Sequence, residues 1–503
     1  MSIDTHHIAG TLLPVFSLPS PYGIGSMGRA AFGFVDFLAD AGQSLWQILP
    51  MGPTDQAGSP YKGISAFAGN PLLIDLDLLA DDGLLTEQEL AEHAEALGSA
   101  AADLRIDYAM QHERKTALLH MAAERFSPDS DYMEFARASG WWLDDFASYA
   151  AGIEGDGVAG AGGGGAAGAA GACAGGAACA AGAAGAAGAA GAEERHRRIQ
   201  YVFEKQWRQL KEYANSRGIG IVGDLPFYVS AESADFASHT GLFATDGCGR
   251  PSLIAGVPPD AFTEDGQIWN EPVYDWAEHR RTGYDWWLCR FARAAAMYNL
   301  CRIDHFRAFA QYFAIPAGRP AKEGRWKDGP GRDFIDAVKR AVPDFGIIAE
   351  DLGIITDDVH ELREYSGYPG MRVLQFAFDP SGDSIYLPHN HIKNCVVYTG
   401  THDNPTLREW TAGASSPEMD FALSYLGAAR ENVAQKVLEA ALDSVADIVI
   451  IPLQDYMGLG ADARINTPGT VGKMNWTWRL SQADLTSELA ENMRGMAKDR
   501  GRI

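Results

Sequence analysis

Short apolar runs that stop abruptly in charged or polar residues recur along this 503-residue chain. Leu300-Cys301-Arg302-Ile303 ends in Asp304-His305, Gly346-Ile347-Ile348-Ala349 in Glu350-Asp351, and Met371 to Phe378 in Asp379. Cys395 to Tyr398 ends in Thr399-Gly400-Thr401-His402-Asp403-Asn404, Asp447 to Leu453 in Gln454-Asp455, and Ile219 to Val222 in Gly223-Asp224. Ser44 to Pro50 and Asn70 to Asp75 complete a set of eight. A parallel strand buried on both faces reads as such a run. Eight of them, with helical spacers and polar carboxyl ends, predict an α/β chain closed as a (β/α)8 TIM barrel with its site on the top face. On this count Asp304 follows the fourth strand, Glu350 the fifth and Asp403 the seventh. A doubly wound open sheet is the competing fold, but it would not need so many charged strand ends.

The spacing divides the chain. Residues 1–77 read as the barrel start and 78–215 as a helical insertion, because its Ala-, Glu- and Leu-rich pattern is too long for a simple crossover. Residues 216–226 carry the third strand, and 227–297, dense in turns and aromatics, read as an insertion over the rim. Residues 298–503 read as the rest of the barrel. Within the helical insertion, 159–192 are all Gly or Ala except Cys173 and Cys179. A Gly every third residue costs about 1 kcal/mol each in a helix and leaves nothing to bury, and without Pro the tract is not collagen. It is either a flexible linker or a stretch whose true side chains the letters do not represent. Gly23-Ile24-Gly25-Ser26-Met27-Gly28 matches a dinucleotide fingerprint but follows Pro-Ser-Pro-Tyr rather than a strand. A turn feeding a helix over Ala30–Ala41, stopped by Gly42, accounts for it better.

A net charge of -25 argues against nucleic acid or an anionic membrane as partner, since either needs a basic face. The first residues lack a basic start and apolar run, and the Gly/Ala tract is too weakly hydrophobic to span a bilayer, so a soluble, cytoplasmic protein is expected. Six cysteines without paired metal spacings suit a reducing compartment. His389, His391 and His402 are scattered imidazoles rather than a metal cage. No G-x-S-x-G elbow is present.

Three carboxylates from three strands converging on one rim are what glycoside chemistry requires: one attacks the anomeric carbon, one protonates the departing oxygen, and one steadies the oxocarbenium-like state. Arg302, two residues before Asp304 on the same strand face, suits a carboxylate nucleophile there; a buried structural ion pair is the alternative. Asp224 and Asp351, taken singly, read better as helix caps or barrel ion pairs.

Cys301-Arg302-Ile303-Asp304-His305-Phe306-Arg307, Ala349-Glu350-Asp351-Leu352-Gly353 and Gly400-Thr401-His402-Asp403-Asn404 resemble the signature regions of the alpha-amylase clan. Ser59-Pro60-Tyr61, Gly223-Asp224-Leu225-Pro226, Ala255 to Asp260, Leu374 to Phe378 and Arg464 to Thr470 narrow the resemblance to the amylomaltase family of 4-alpha-glucanotransferases. That resemblance implies a retaining transfer between malto-oligosaccharides or amylose, each serving as donor and acceptor. It implies Asp304 as nucleophile, Glu350 as acid and then base, and Asp403 as stabiliser of the transition state. Arg302, His305 and His402 would hold the sugar in the cleaved subsite, while Tyr61, Trp269, Asp379 and Asn466 would line the groove; Asp224 is counted with them. No metal or organic cofactor is implied, and the oligomeric state stays open. Tyr61, Phe262 and Trp269 as groove walls would favour transfer over hydrolysis by holding a sugar in place of water. A true alpha-glucan hydrolase and a non-catalytic glucan-binding protein are the rival expectations. The chain departs from the family with Asn270-Glu271-Pro272 in place of Gly-Asn-Pro, with Ala308 in place of Gly, and with the Gly/Ala tract in place of a helical segment of ordinary composition.

Overall fold

The computed structural model describes residues 5–97, 104–157, 183–259, 265–353, 355–472 and 474–503. Eight parallel strands close a barrel: β1 (Ile8–Leu12), β2 (Leu45–Gln47), β3 (Gly220–Leu225), β6 (Leu300–Ile303), β9 (Gly346–Ala349), β10 (Gly370–Val373), β11 (Cys395–Tyr398) and β12 (Ile448–Pro452). They run around it in chain order, with β12 pairing back onto β1. The period of two sorts their side chains. Val396, Tyr398, Ile448 and Ile450 fill the interior with Leu12, Leu45, Val222, Leu300 and Ile348. Cys395, Val397, Val449 and Ile451 face outward against helices such as Val433–Leu442. Both faces are covered, and this is why the strands read as unbroken apolar runs.

The barrel has the expected eight strands, but not the expected eight. Ile8–Leu12 is the first of them and went unrecognised. Asn70–Asp75 is not a strand: Pro71–Leu73 forms one 3-10 turn. Polar ends explain the difference. The Asn70 side chain accepts from the Leu72 N–H at 3.0 Å, and Asp75 accepts from Leu78 N–H at 3.1 Å to cap the helix Leu76–Asp81. These groups satisfy the backbone locally and leave it no need of a ladder. The two errors offset each other, so Asp304, Glu350 and Asp403 still follow strands four, five and seven. The sixth strand also stops sooner than expected, at Val373, and Leu374–Phe376 turns as a 3-10 helix.

Helices fill the long interval between β2 and β3, and Ser130–Gly157 packs against Ala183–Ser216. The second of these begins inside the Gly/Ala tract; residues 158–182, most of that tract, lie outside the described residues. The glycine fingerprint has a structural use. Gly28 precedes the helix Arg29–Asp40, and a Cβ there would strike the Asp75 carboxylate, which also takes the Ser26 hydroxyl at 2.7 Å.

A second sheet covers the rim. It is antiparallel, in the order β5-β4-β7-β8, from β4 (Leu253–Val257), β5 (Gln267–Pro272), β7 (Gln311–Pro316) and β8 (Arg325–Asp328). Two insertions build it, one after β3 and one after β6, joined where Leu253, Ile254 and Ala255 pair with Pro316, Ile315 and Ala314. Residues 298–503 therefore contribute to this cover as well as to the barrel.

Candidate active site

Val222 and Leu300 point into the barrel, so the period of two turns Asp224, Arg302 and Asp304 inward as well. The register sets Asp224 beside Arg302. One guanidinium nitrogen of Arg302 donates to both Asp224 oxygens at 2.8 Å, and the other terminal nitrogen donates to Asp304 at 3.0 Å. The Asp224 side chain is fully covered and that of Arg302 is 6% exposed, whereas Asp304 keeps 31%. A sealed pair thus anchors a carboxylate that faces the cleft. Tyr61 reaches Asp224 from the loop after β2, its hydroxyl donating at 2.6 Å. Burial and then the Asp224 charge push this phenol well above its ordinary range, so it stays a donor. Burial also raises the Asp224 carboxyl, against the opposing pull of Arg302.

Glu350 extends the next strand. Its N–H continues the ladder to the Ile303 carbonyl at 3.1 Å, and its carboxylate accepts the His305 N–H at 2.6 Å and the Leu352 N–H at 3.1 Å. His305 presents that N–H from a left-handed backbone, φ +49°, a conformation uncommon for a residue with a Cβ. Desolvation in the half-buried cleft is the largest influence on Glu350 and pushes it up to about 8; Arg302 pulls it down, and Asp304 adds to the rise. The His305 imidazole is lowered by desolvation to about 4 and is neutral near pH 7. Trp269, on β5, meets its ring edge-on at 5.0 Å.

Asp403 comes from the turn after β11, where Asn404 Oδ1 accepts the Thr401 N–H at 2.8 Å and its hydroxyl at 2.9 Å. The Asp403 carboxylate accepts from Asn466 Nδ2 at 2.6 Å and lies 3.4 Å from His402 Nε2. The His402 ring stacks on Tyr61 at 5.1 Å and 14°, which ties the third carboxylate to the Tyr61–Asp224–Arg302 chain. The structure therefore gathers Asp304, Glu350, Asp403, Tyr61, Asp224, Trp269, Arg302, His305, His402 and Asn466 around one cleft. Asp379 differs. It is exposed on the loop after β10, takes the Ser381 N–H at 2.7 Å, and no hydrogen bond or ion pair among the described residues joins it to the others. Phe262 lies outside the described residues.

Sequence reasoning passed over four contributors. Arg464 donates to the Asp403 carbonyl at 2.9 Å and to the Asn466 carbonyl at 2.7 Å, locking that corner. Trp476, at φ +64°, packs 5.8 Å from both Tyr61 and His402. Tyr228 packs against Trp269 at 6.2 Å, and Glu271 lies two residues beyond Trp269 on the same strand. The Arg464-to-Thr470 motif carried a signal for Arg464, and the departure at Asn270-Glu271-Pro272 one for Glu271; Trp476 and Tyr228 had none. Asp351, beside Glu350, turns away to pair with Arg363 at 3.3 Å and Arg372 at 3.5 Å. His391 bonds to Ser444 and the Tyr386 carbonyl, and His389 to Tyr425. Among the described residues no group of three or more His, Cys, Asp or Glu is arranged to hold a metal ion, and no helix is long and apolar enough to cross a membrane.

A closed parallel barrel that gathers acids from three strand ends in one cleft defines a (β/α)8 enzyme equipped for glycoside chemistry. The chain belongs to the 4-alpha-glucanotransferase family, glycoside hydrolase family 77, whose pattern matches residues 13–486. It is 41% identical to a 4-alpha-glucanotransferase of Streptococcus pneumoniae, covering 96% of this chain and 95% of that one. It is 40% identical to a chloroplastic/amyloplastic 4-alpha-glucanotransferase of Arabidopsis thaliana, over 95% of this chain and 82% of the relative. Its fold matches the amylomaltase from Streptococcus agalactiae in complex with acarbose at a TM-score of 0.89 and 33% identity, covering 99% of each chain.

Proposed function

We propose that this 4-alpha-glucanotransferase works by retaining double displacement, with Asp304, Glu350 and Asp403 in the three chemical roles. The observation that carries the reading is the contrast at the ends of β6 and β9. Asp304 receives a guanidinium hydrogen bond from Arg302, while Glu350 next to it is raised to about 8 and so holds a proton near pH 7. Two neighbouring carboxyls in environments this different can act as nucleophile and acid at one pH. Asp304 attacks the anomeric carbon of a malto-oligosaccharide as Glu350 protonates the departing glucan oxygen, leaving a glycosyl ester on Asp304 and an ionised Glu350. The 4-hydroxyl of a second glucan, an oligosaccharide or amylose, then loses its proton to Glu350 as its oxygen displaces Asp304. Asp403, held by Asn466 and Arg464, stabilises the positive charge that develops on the sugar ring in both steps. Arg302, His305 and His402 hold the sugar being transferred, and Tyr61, Trp269 and Asn466 line the groove. Asp379 is assigned to the donor and acceptor groove on family resemblance alone.

Transfer in place of hydrolysis is supported by aromatic walls beside the acids, where Trp269 packs on His305, next to Asp304, and Tyr61 stacks on His402, next to Asp403. A site that holds a sugar there excludes water and gains from its positioning. Incubation with maltotriose alone tests this: glucose and longer maltodextrins should form while the number of reducing ends stays nearly constant. A steady rise in reducing ends without longer products identifies a hydrolase. Cys289, Cys301 and Cys395 carry free thiols, which supports a reducing compartment and a cytoplasmic enzyme.

A further inference from the structure

One acid at the rim has no place in that chemistry. Glu271 sits on β5, where Gln267, Trp269 and Glu271 are half-buried and the alternate Ile268 and Asn270 are exposed. The register with β4 shifts here and Asn270 is left-handed, so neighbours rather than alternation place the two side chains: Trp269 meets His305, the residue next to Asp304, and Glu271 lies within the field of Asp304 itself. Asn270 adopts φ +70°, which accounts for Gly being usual at this position in the family. The Glu271 side chain keeps only 13% exposure. Its sole counter-ion among the described residues is Lys62, at 3.9 Å, from the loop that carries Tyr61. Besides its own backbone N–H, no donor of the described residues lies within hydrogen-bond distance of the carboxylate. A buried carboxylate normally takes several donors, and one that lacks them on an open cleft has room for donors brought by a ligand.

We propose that Glu271 is a substrate-specificity residue, whose carboxylate accepts the hydroxyls of a glucosyl unit bound between the Trp269 strand and the Tyr61–Lys62 loop. The inference rests on the glucan-transfer reading above. A glucose ring presents vicinal hydroxyls, which are what a carboxylate with unused lone pairs binds. The groups facing Glu271 are Lys62, Asp304 and Tyr228. Desolvation, opposed by Lys62 and aided by Asp304, raises Glu271 to about 7. The contact therefore strengthens as pH rises through neutrality, when the acid ionises and becomes the better acceptor.

The test compares wild type with Glu271→Gln on maltotriose from about pH 6 to about pH 8.5, a range that spans the titration. Glutamine is isosteric with the protonated acid, so the two enzymes should have similar KM at the acid end. At the alkaline end the variant KM should be about ten-fold higher, as for loss of a hydrogen bond to a charged acceptor. The two kcat values should stay within about three-fold of each other, because Glu271 takes no part in the bond changes. Lys62→Met removes the stabilising ammonium and should move the KM inflection of the otherwise native enzyme to higher pH. A KM ratio near one at every pH, or an effect on kcat alone, overturns the proposal. Glu271→Asn, the residue usual in the family, replaces Gln if that variant misfolds, with the same ratio as readout. Rising reducing ends in the wild type would defeat the transfer reading, while the KM ratio would still report on Glu271.

Discussion

Two arginine–aspartate clusters stand side by side at the rim and do opposite things. Arg302 spans Asp224 and Asp304, while Arg363 and Arg372 converge on Asp351, one residue past Glu350. In the second cluster every member is shut away, with side-chain exposures of 2% for Asp351 and 7% for each arginine. Its aspartate also takes the Met371 N–H at 2.7 Å and fills the space left by Gly370, which has no Cβ. The first cluster is equally sealed at Asp224 but ends in an open Asp304. The partner types are the same in both, but the balance is reversed: one cation serves two carboxylates in the first, and two cations serve one in the second. Access, and an oxygen left for a ligand, separate a working acid from a structural one.

Substitution should split the clusters by readout. Glu350→Gln removes the acid served by the open cluster and should lower kcat on maltotriose by about 10²–10⁴-fold, the usual weight of a general acid–base, with little loss of thermal stability. Arg363→Met leaves Asp351 short of one cation. Arg372 still pairs with Asp351, so the cost stays below the about 3–5 kcal/mol of a fully broken buried pair; the melting temperature should fall while kcat per folded molecule stays within about three-fold. Full activity in the first variant, or a selective loss of kcat in the second, would exchange the two assignments.

The clusters were not equally legible in the sequence. Arg302 and Asp304 lie two residues apart on one strand, and the period of two alone aims both inward. Asp224 was read as an isolated cap or ion pair because its partner lies 78 positions away, and only the barrel's register brings the two together. The barrel itself was readable because both strand faces are apolar. Its first strand was missed since Ile8-Ala9-Gly10-Thr11-Leu12 carries Gly and Thr inside a short run. The covering sheet left almost no trace. β8 is Arg-Trp-Lys-Asp with every residue exposed, and β4 pairs with a strand from another insertion. The burial of Glu271 follows from that sheet, so the departure from Gly-Asn-Pro was visible while its consequence was not.

A smaller difference concerns pH. A carboxyl raised in the folded state binds its proton more tightly there than in the unfolded chain, so the stability it contributes is complete below about 4.3, the unfolded value, and is lost as pH rises towards about 8. Wild type should therefore lose stability relative to Glu350→Gln across that interval, and the melting-temperature gap between them should widen in favour of the variant. On the alkaline side kcat should also fall as Glu350 gives up the proton it must donate. Parallel melting curves for the two proteins from about pH 5 to about pH 8.5 would show that Glu350 is not held protonated by the fold.

The smallest expected effect tests the link between the buried anchor and the open cleft. Tyr61 touches both, its hydroxyl on Asp224 at 2.6 Å and its ring stacked on His402 at 5.1 Å. Tyr61→Phe keeps the ring and removes only the donor, leaving Arg302 as the remaining hydrogen-bond donor to the Asp224 side chain among the described residues. A hydrogen bond to a charged acceptor contributes about 1.5–3 kcal/mol, but Arg302 and adjustments nearby should recover part of that. The expected loss in kcat/KM is about three- to ten-fold, just below that range. Tyr61→Ala also removes the stack that positions His402 beside Asp403 and should cost clearly more. If the two variants lost the same activity, the hydroxyl alone would connect the anchor to the cleft and the ring would be only packing. If Tyr61→Phe were indistinguishable from wild type, Arg302 alone would hold Asp224, and the open cluster would need no more than the sealed one has.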